Sequence, residues 1–111
     1  MNRKRALIIE DDPIHRKVIA ALVQHSNLDA TYTEDGIEGL EQLQERDDFA
    51  VVIVDLHLPR MSGLELIAKL KEVAPRYVGR VVVVSGMDDE VLSQIDEASI
   101  CGILRLSLIH I

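Results

Sequence analysis

The stretch Ala50-Val51-Val52-Ile53-Val54-Asp55-Leu56-His57-Leu58-Pro59-Arg60-Met61-Ser62-Gly63 runs from an unbroken apolar, largely β-branched segment straight into a carboxylate. A short run of this kind predicts a strand. Its lack of polar alternation predicts that both faces of that strand are covered. Asp55 then follows the strand directly, at the edge of whatever sheet it joins.

Working outward, the pattern recurs at residues 6–9 and 81–84, more weakly at 30–33, and a fifth strand is expected at about 101–105. Between these runs the period changes. Ile14, Val18 and Leu22 repeat every four residues. Ile37, Leu40 and Leu43 do so roughly, as do Leu64, Ile67 and Leu70, and then Val91, Ile95 and Ala98-Ser99. Such spacing predicts amphipathic helices. Asp12-Pro13 reads as a helix cap followed by proline at the first helical position, and Pro75 stands where the third helix should stop. Strands alternating with helices imply parallel pairing through right-handed crossovers, a doubly wound α/β sheet.

Composition narrows the function classes. The 111 residues are 48% hydrophobic and 28% charged, with one Phe, two Tyr and no Trp, so the core must be aliphatic. Twelve Lys and Arg against nineteen Asp and Glu leave a formal charge of −7, which disfavours a nucleic-acid surface and docking on anionic lipid. Arg3-Lys4-Arg5 is followed by only four uncharged residues before Glu10, too few for a signal-peptide core, and residues 49–54 are too short a run to span a membrane. Cys101 stands alone, so no internal disulfide can form, and a cytoplasmic setting is expected.

In open parallel sheets, ligands bind beyond the carboxyl ends of the strands. After the first strand come Glu10, Asp11 and Asp12; after the third, Asp55; after the fourth, Ser85 and Gly86. Taken singly, Asp11 and Asp12 read equally well as helix caps, and Asp55 or Ser85 as ordinary loop openers. Together they place carboxylates and a hydroxyl at one edge. Crowded carboxylates repel one another unless a cation intervenes, and Mg2+ favours oxygen donors. The sequence shows no His/Cys cluster, which disfavours zinc.

These residues resemble the receiver domain of response regulators over residues 5 to about 105. The resemblance rests on Val54-Asp55-Leu56-His57-Leu58-Pro59-Arg60-Met61-Ser62-Gly63, on Ile8-Ile9-Glu10-Asp11-Asp12-Pro13 with Arg16 beyond, and on Val82-Val83-Val84-Ser85-Gly86. It implies a flavodoxin-like sheet of order 2-1-3-4-5. It implies Asp55 as phosphoacceptor and Ser85 as a hydroxyl for the phosphoryl group. It further implies a Mg2+ site of Glu10 (through water), Asp11, Asp55 and the backbone carbonyl of His57. A histidine kinase or phosphotransfer protein would be the donor. The domain would catalyse only its own phosphorylation and dephosphorylation.

The chain departs from the family in three places. Leu106 and Ser107 stand where the family has lysine and proline, and Ile103 where it has an aromatic residue. Residues 106–111 form an apolar tail outside the expected domain of residues 1–105, and the last helix is expected to be missing. That would leave part of one sheet face uncovered, so dimerisation, swapping or poor solubility is expected. The competing reading is a receiver-like interaction module that no longer switches. An aspartate-dependent phosphatase is disfavoured, because Asp11-Asp12 lacks the Asp-x-Asp spacing.

Overall fold

The computed structural model describes residues 4–85, 93–95, 98 and 100–105. Five strands form one parallel sheet: β1 (Arg5–Ile9), β2 (Asp29–Thr33), β3 (Phe49–Asp55), β4 (Val81–Ser85) and β5 (Ile100–Arg105), in the order β2-β1-β3-β4-β5. Helices α1 (Pro13–His25), α2 (Gly36–Glu45) and α3 (Gly63–Val73) connect the first four, the last followed by a 3-10 turn at Pro75–Tyr77. The doubly wound α/β class and the 2-1-3-4-5 order expected from the sequence are both found. The helix expected around Val91 and Ala98-Ser99 lies largely outside the described residues, as does the tail 106–111.

Alternation along each strand builds two cores. Leu7 and Ile9 of β1, Val52 and Val54 of β3, and Val81 and Val83 of β4 point toward α2 and α3, against Leu43, Leu66, Ile67 and Leu70. Ala6, Ile8, Ile53 and Val84 point the other way, against Ile19 and Val23 of α1. Burial on both faces explains why β1, β3 and β4 read as continuous apolar runs. Ile95 is buried in the first of these cores. Tyr77 and Phe49, both buried, close its lower end, where the Tyr77 hydroxyl donates to the Arg46 carbonyl at 2.6 Å.

The α1 stripe differs from the sequence expectation. Ile14 and Leu22 are 69% and 48% exposed, while Ile19 and Val23 are buried. The helix is where its period predicted, but it presents the adjacent stripe. A periodicity of four fits two neighbouring rows on this helix, and only packing against Ala6, Ile8 and Ile53 selects between them. Leu22 instead borders a groove of about 420 Å³ beside α1, lined on the sheet side by Val51, Ile53, Val82, Gly102 and Leu104.

Candidate functional site

Register decides what meets at the carboxyl edge. Ile9 of β1 pairs with Val54 of β3, so one further step along both strands sets Glu10 beside Asp55. The pleat turns both toward the α1 side, the side of Ile8 and Ile53. Asp55 in turn pairs with Val84 of β4, and Ser85 is the next residue, buried at the strand tip. Ser85 pairs with Arg105, the last residue of β5.

Glu10 is fully buried. Its backbone N–H donates to the Thr33 carbonyl at 3.0 Å, which ties the β1 tip to β2. Its Oε2 accepts the Asp11 backbone N–H at 3.1 Å, and its Oε1 lies 3.1 Å from His15 Nδ1. Burial, then a hydrogen bond to Asp55, then the charge of Asp55 push the Glu10 carboxyl up from 4.5 to about 9. The negative charge of Asp11 adds to this, and a backbone hydrogen bond from Asp12 opposes it. Glu10 therefore keeps its proton well above the usual carboxylate range.

Asp55 is half-buried, and its Oδ1 accepts the His57 backbone N–H at 2.9 Å. The β3–α3 loop is fixed at both ends. Gly63 N–H donates to the Leu56 carbonyl at 3.1 Å, and Leu56 N–H to the Val84 carbonyl at 3.3 Å. A Cβ on Gly36, the first residue of α2, would stand 2.5 Å from the Met61 carbonyl oxygen, so this glycine lets the loop lie directly on the α2 start. Asp35 caps α2 through the Glu38 N–H and also pairs with Arg60 of the loop at 3.0 Å.

The residues named from the sequence are thus distributed unevenly. Glu10 and Asp55 converge. Asp11 stands at the exposed rim beside them, and Asp12 caps α1 by accepting the Ile14 N–H at 2.8 Å. His57 reaches Asp55 through its backbone N–H while remaining exposed itself. Sequence reasoning missed His15. The signal was present: it lies in the first turn of a helix capped by Asp12, five residues past Glu10, and so returns to the β1 tip.

The family model of the response regulator receiver domain matches residues 6–104. The chain belongs to this family. Two-component response regulator ORR22 of Oryza sativa subsp. japonica is 39% identical to this receiver domain over 64 residues, 57% of this chain and 9% of that protein. Response regulator mcs4 of Schizosaccharomyces pombe is 31% identical over 65 residues, 59% of this chain and 12% of that protein. The matched stretch is therefore about a tenth of the length of either relative. The receiver domain of sensor histidine kinase PA1611 from Pseudomonas aeruginosa superposes with a TM-score of 0.77 at 19% identity, covering 96% of this chain and 87% of that one; that structure has a magnesium ion coordinated in its active-site cleft. The fold and the family place this receiver domain in two-component signalling. Among the described residues, no helix is long and apolar enough to cross a membrane.

Proposed function

We propose that Asp55 is the phosphoacceptor of this receiver domain, taking its phosphoryl group from a histidine kinase or phosphotransfer protein with Mg2+ as cofactor. The observation that carries this reading is the convergence of Glu10 and Asp55 at the carboxyl edge of β1 and β3, with Glu10 fully buried. The donor chemistry fits the ion. Both side chains offer oxygen, and Glu10 stays protonated up to about 9 when no cation is present, so the pocket accepts positive charge. Glu10 through water, Asp11, Asp55 and the His57 carbonyl would hold the ion, which supplies charge neutralisation to the transferring phosphoryl oxygens.

The chain's own groups do the rest. An Asp55 carboxylate oxygen attacks phosphorus as the bond to the donor imidazole breaks, and the electron pair leaves with that nitrogen. The His57 N–H holds the other Asp55 oxygen and so fixes which one is free to attack. Ser85, at the neighbouring tip, would donate its hydroxyl to a phosphoryl oxygen. Phosphoryl transfer depends chiefly on such positioning and on charge stabilisation. Hydrolysis of the acyl phosphate resets the domain, which thus acts only on its own modification. A reducing, cytoplasmic setting suits the exposed, unpaired Cys101.

A second reading is a module that binds partners without switching. It is favoured by Leu106 and Ser107 standing just past β5 where the family carries lysine and proline. Incubation with Mg2+ and acetyl phosphate, followed by intact-mass measurement, separates the two. One phosphoryl adduct, absent in Asp55→Asn, supports the phosphoacceptor. An unmodified wild-type chain supports the module.

A further inference from the structure

The side chain that sequence reasoning overlooked changes the chemistry of the site. His15 Nδ1 lies 3.1 Å from Glu10 Oε1 and 3.7 Å from Asp12 Oδ2, and its side chain is 23% exposed. One ligand atom from each of Glu10, His15 and Asp55 falls within 4.8 Å of the other two. Three elements, β1, α1 and β3, thus direct two carboxylates and an imidazole at one point.

Mg2+ is served by oxygen donors, whereas imidazole nitrogen suits zinc, cobalt, nickel and copper. We propose that Glu10, His15 and Asp55 form a mixed nitrogen–oxygen site for a borderline divalent transition ion of the Zn2+ or Co2+ type, which competes with Mg2+ for the shared carboxylates. The inference rests on reading Glu10 and Asp55 as metal ligands and adds His15 to them.

The geometry supports it. Such ions bind imidazole nitrogen and carboxylate oxygen at about 2.0–2.2 Å, which sets neighbouring ligand atoms roughly 3 to 3.5 Å apart. The His15 Nδ1 to Glu10 Oε1 separation of 3.1 Å already has that value. The remaining separations, up to 4.8 Å, close by rotation of the His15 side chain, which is partly exposed. Three protein ligands leave at least one coordination position open to water or an anion.

The test titrates the full chain with Co2+ alone, reading visible absorption, and with Mg2+ alone, reading backbone amide shifts. A parallel wild-type sample is followed by imidazole 15N shifts as Zn2+ is added. We expect Co2+ to bind with one equivalent, and His15→Ala to weaken it on the order of 10- to 100-fold, well beyond whatever change it makes in Mg2+ affinity. Zn2+ should move the His15 Nδ1 signal and leave those of His25 and His57 in place. Equal Co2+ affinity in His15→Ala, or an unmoved His15 signal at saturating Zn2+, overturns the inference; the second readout does not depend on the variant folding. Mg2+ binding with an unmoved His15 defeats this inference alone, whereas a wild-type chain that binds neither ion defeats the receiver-site reading beneath it.

Discussion

Gly63 lies so close to the main chain of Asp55 that a Cβ placed on it would stand 2.5 Å from the Asp55 carbonyl oxygen and 2.8 Å from the Leu56 Cα. Both neighbours are backbone, so neither can swing aside. The glycine that opens α3 is what lets that helix start directly beneath the tip of β3. Gly63→Ala should therefore displace the β3 tip, at a cost of about 1–3 kcal/mol from overpacking. Urea denaturation measures the loss, and phosphorylation from acetyl phosphate should slow in the same variant. Unchanged stability would show that the contact is not constraining.

Asp35 joins two roles that substitution can separate. Its Oδ1 accepts the Glu38 N–H at 2.9 Å and its Oδ2 pairs with the exposed Arg60 at 3.0 Å. Asp35→Ala should cost about 0.5–2 kcal/mol through the lost cap. Arg60→Ala should cost less than about 1 kcal/mol, because a solvent-exposed partner adds little, and Asp35→Asn, which keeps a capping oxygen, should resemble it. Thermal denaturation of the three variants checks the order. Equal losses for Asp35→Ala and Asp35→Asn would mean that the ion pair dominates.

The Glu10 carboxyl is raised from 4.5 to about 9, so the folded, metal-free domain holds a proton that the unfolded chain releases. Its contribution to stability is complete below the unfolded value and is lost as pH rises through the folded one. Melting temperature without metal should therefore fall as pH rises toward about 9, and Glu10→Gln should flatten that slope. Mg2+ affinity should rise over the same interval, because binding no longer has to expel the proton. Calorimetry in a chelator-treated series measures both effects. Stability that climbs with pH would contradict the assignment of the buried proton to Glu10.

The groove beside α1 exposes Leu22 against Val51, Ile53, Val82 and Leu104. Apolar surface of this kind favours association of two copies. Light scattering should show a mass that grows with concentration, and Leu22→Lys should reduce it. A monomer of constant mass at high concentration would contradict this.

Strand identity was legible because β1, β3 and β4 are buried on both faces and show it as unbroken β-branched runs. The carboxyl-edge location of Glu10, Asp55 and Ser85 followed from that alone. The buried stripe of α1 was not legible, since Ile14, Val18 and Leu22 keep the same period as Ile19 and Val23, and only the packed sheet distinguishes the rows. His15 was hidden for a related reason. The Asp12-Pro13 cap already marked where α1 begins, but a set drawn from β1, α1 and β3 has no single local spacing to draw attention to it.

The most direct test of the account is to map the modified residue. The chain is treated with Mg2+ and acetyl phosphate, reduced with borohydride, which converts an aspartyl phosphate to homoserine, and digested for peptide sequencing by mass spectrometry. The account predicts homoserine at position 55, dependent on Mg2+ and absent when the metal is chelated. Modification at Asp11, Asp12 or elsewhere with Asp55 intact, or labelling of Asp55 indifferent to chelation, would contradict it.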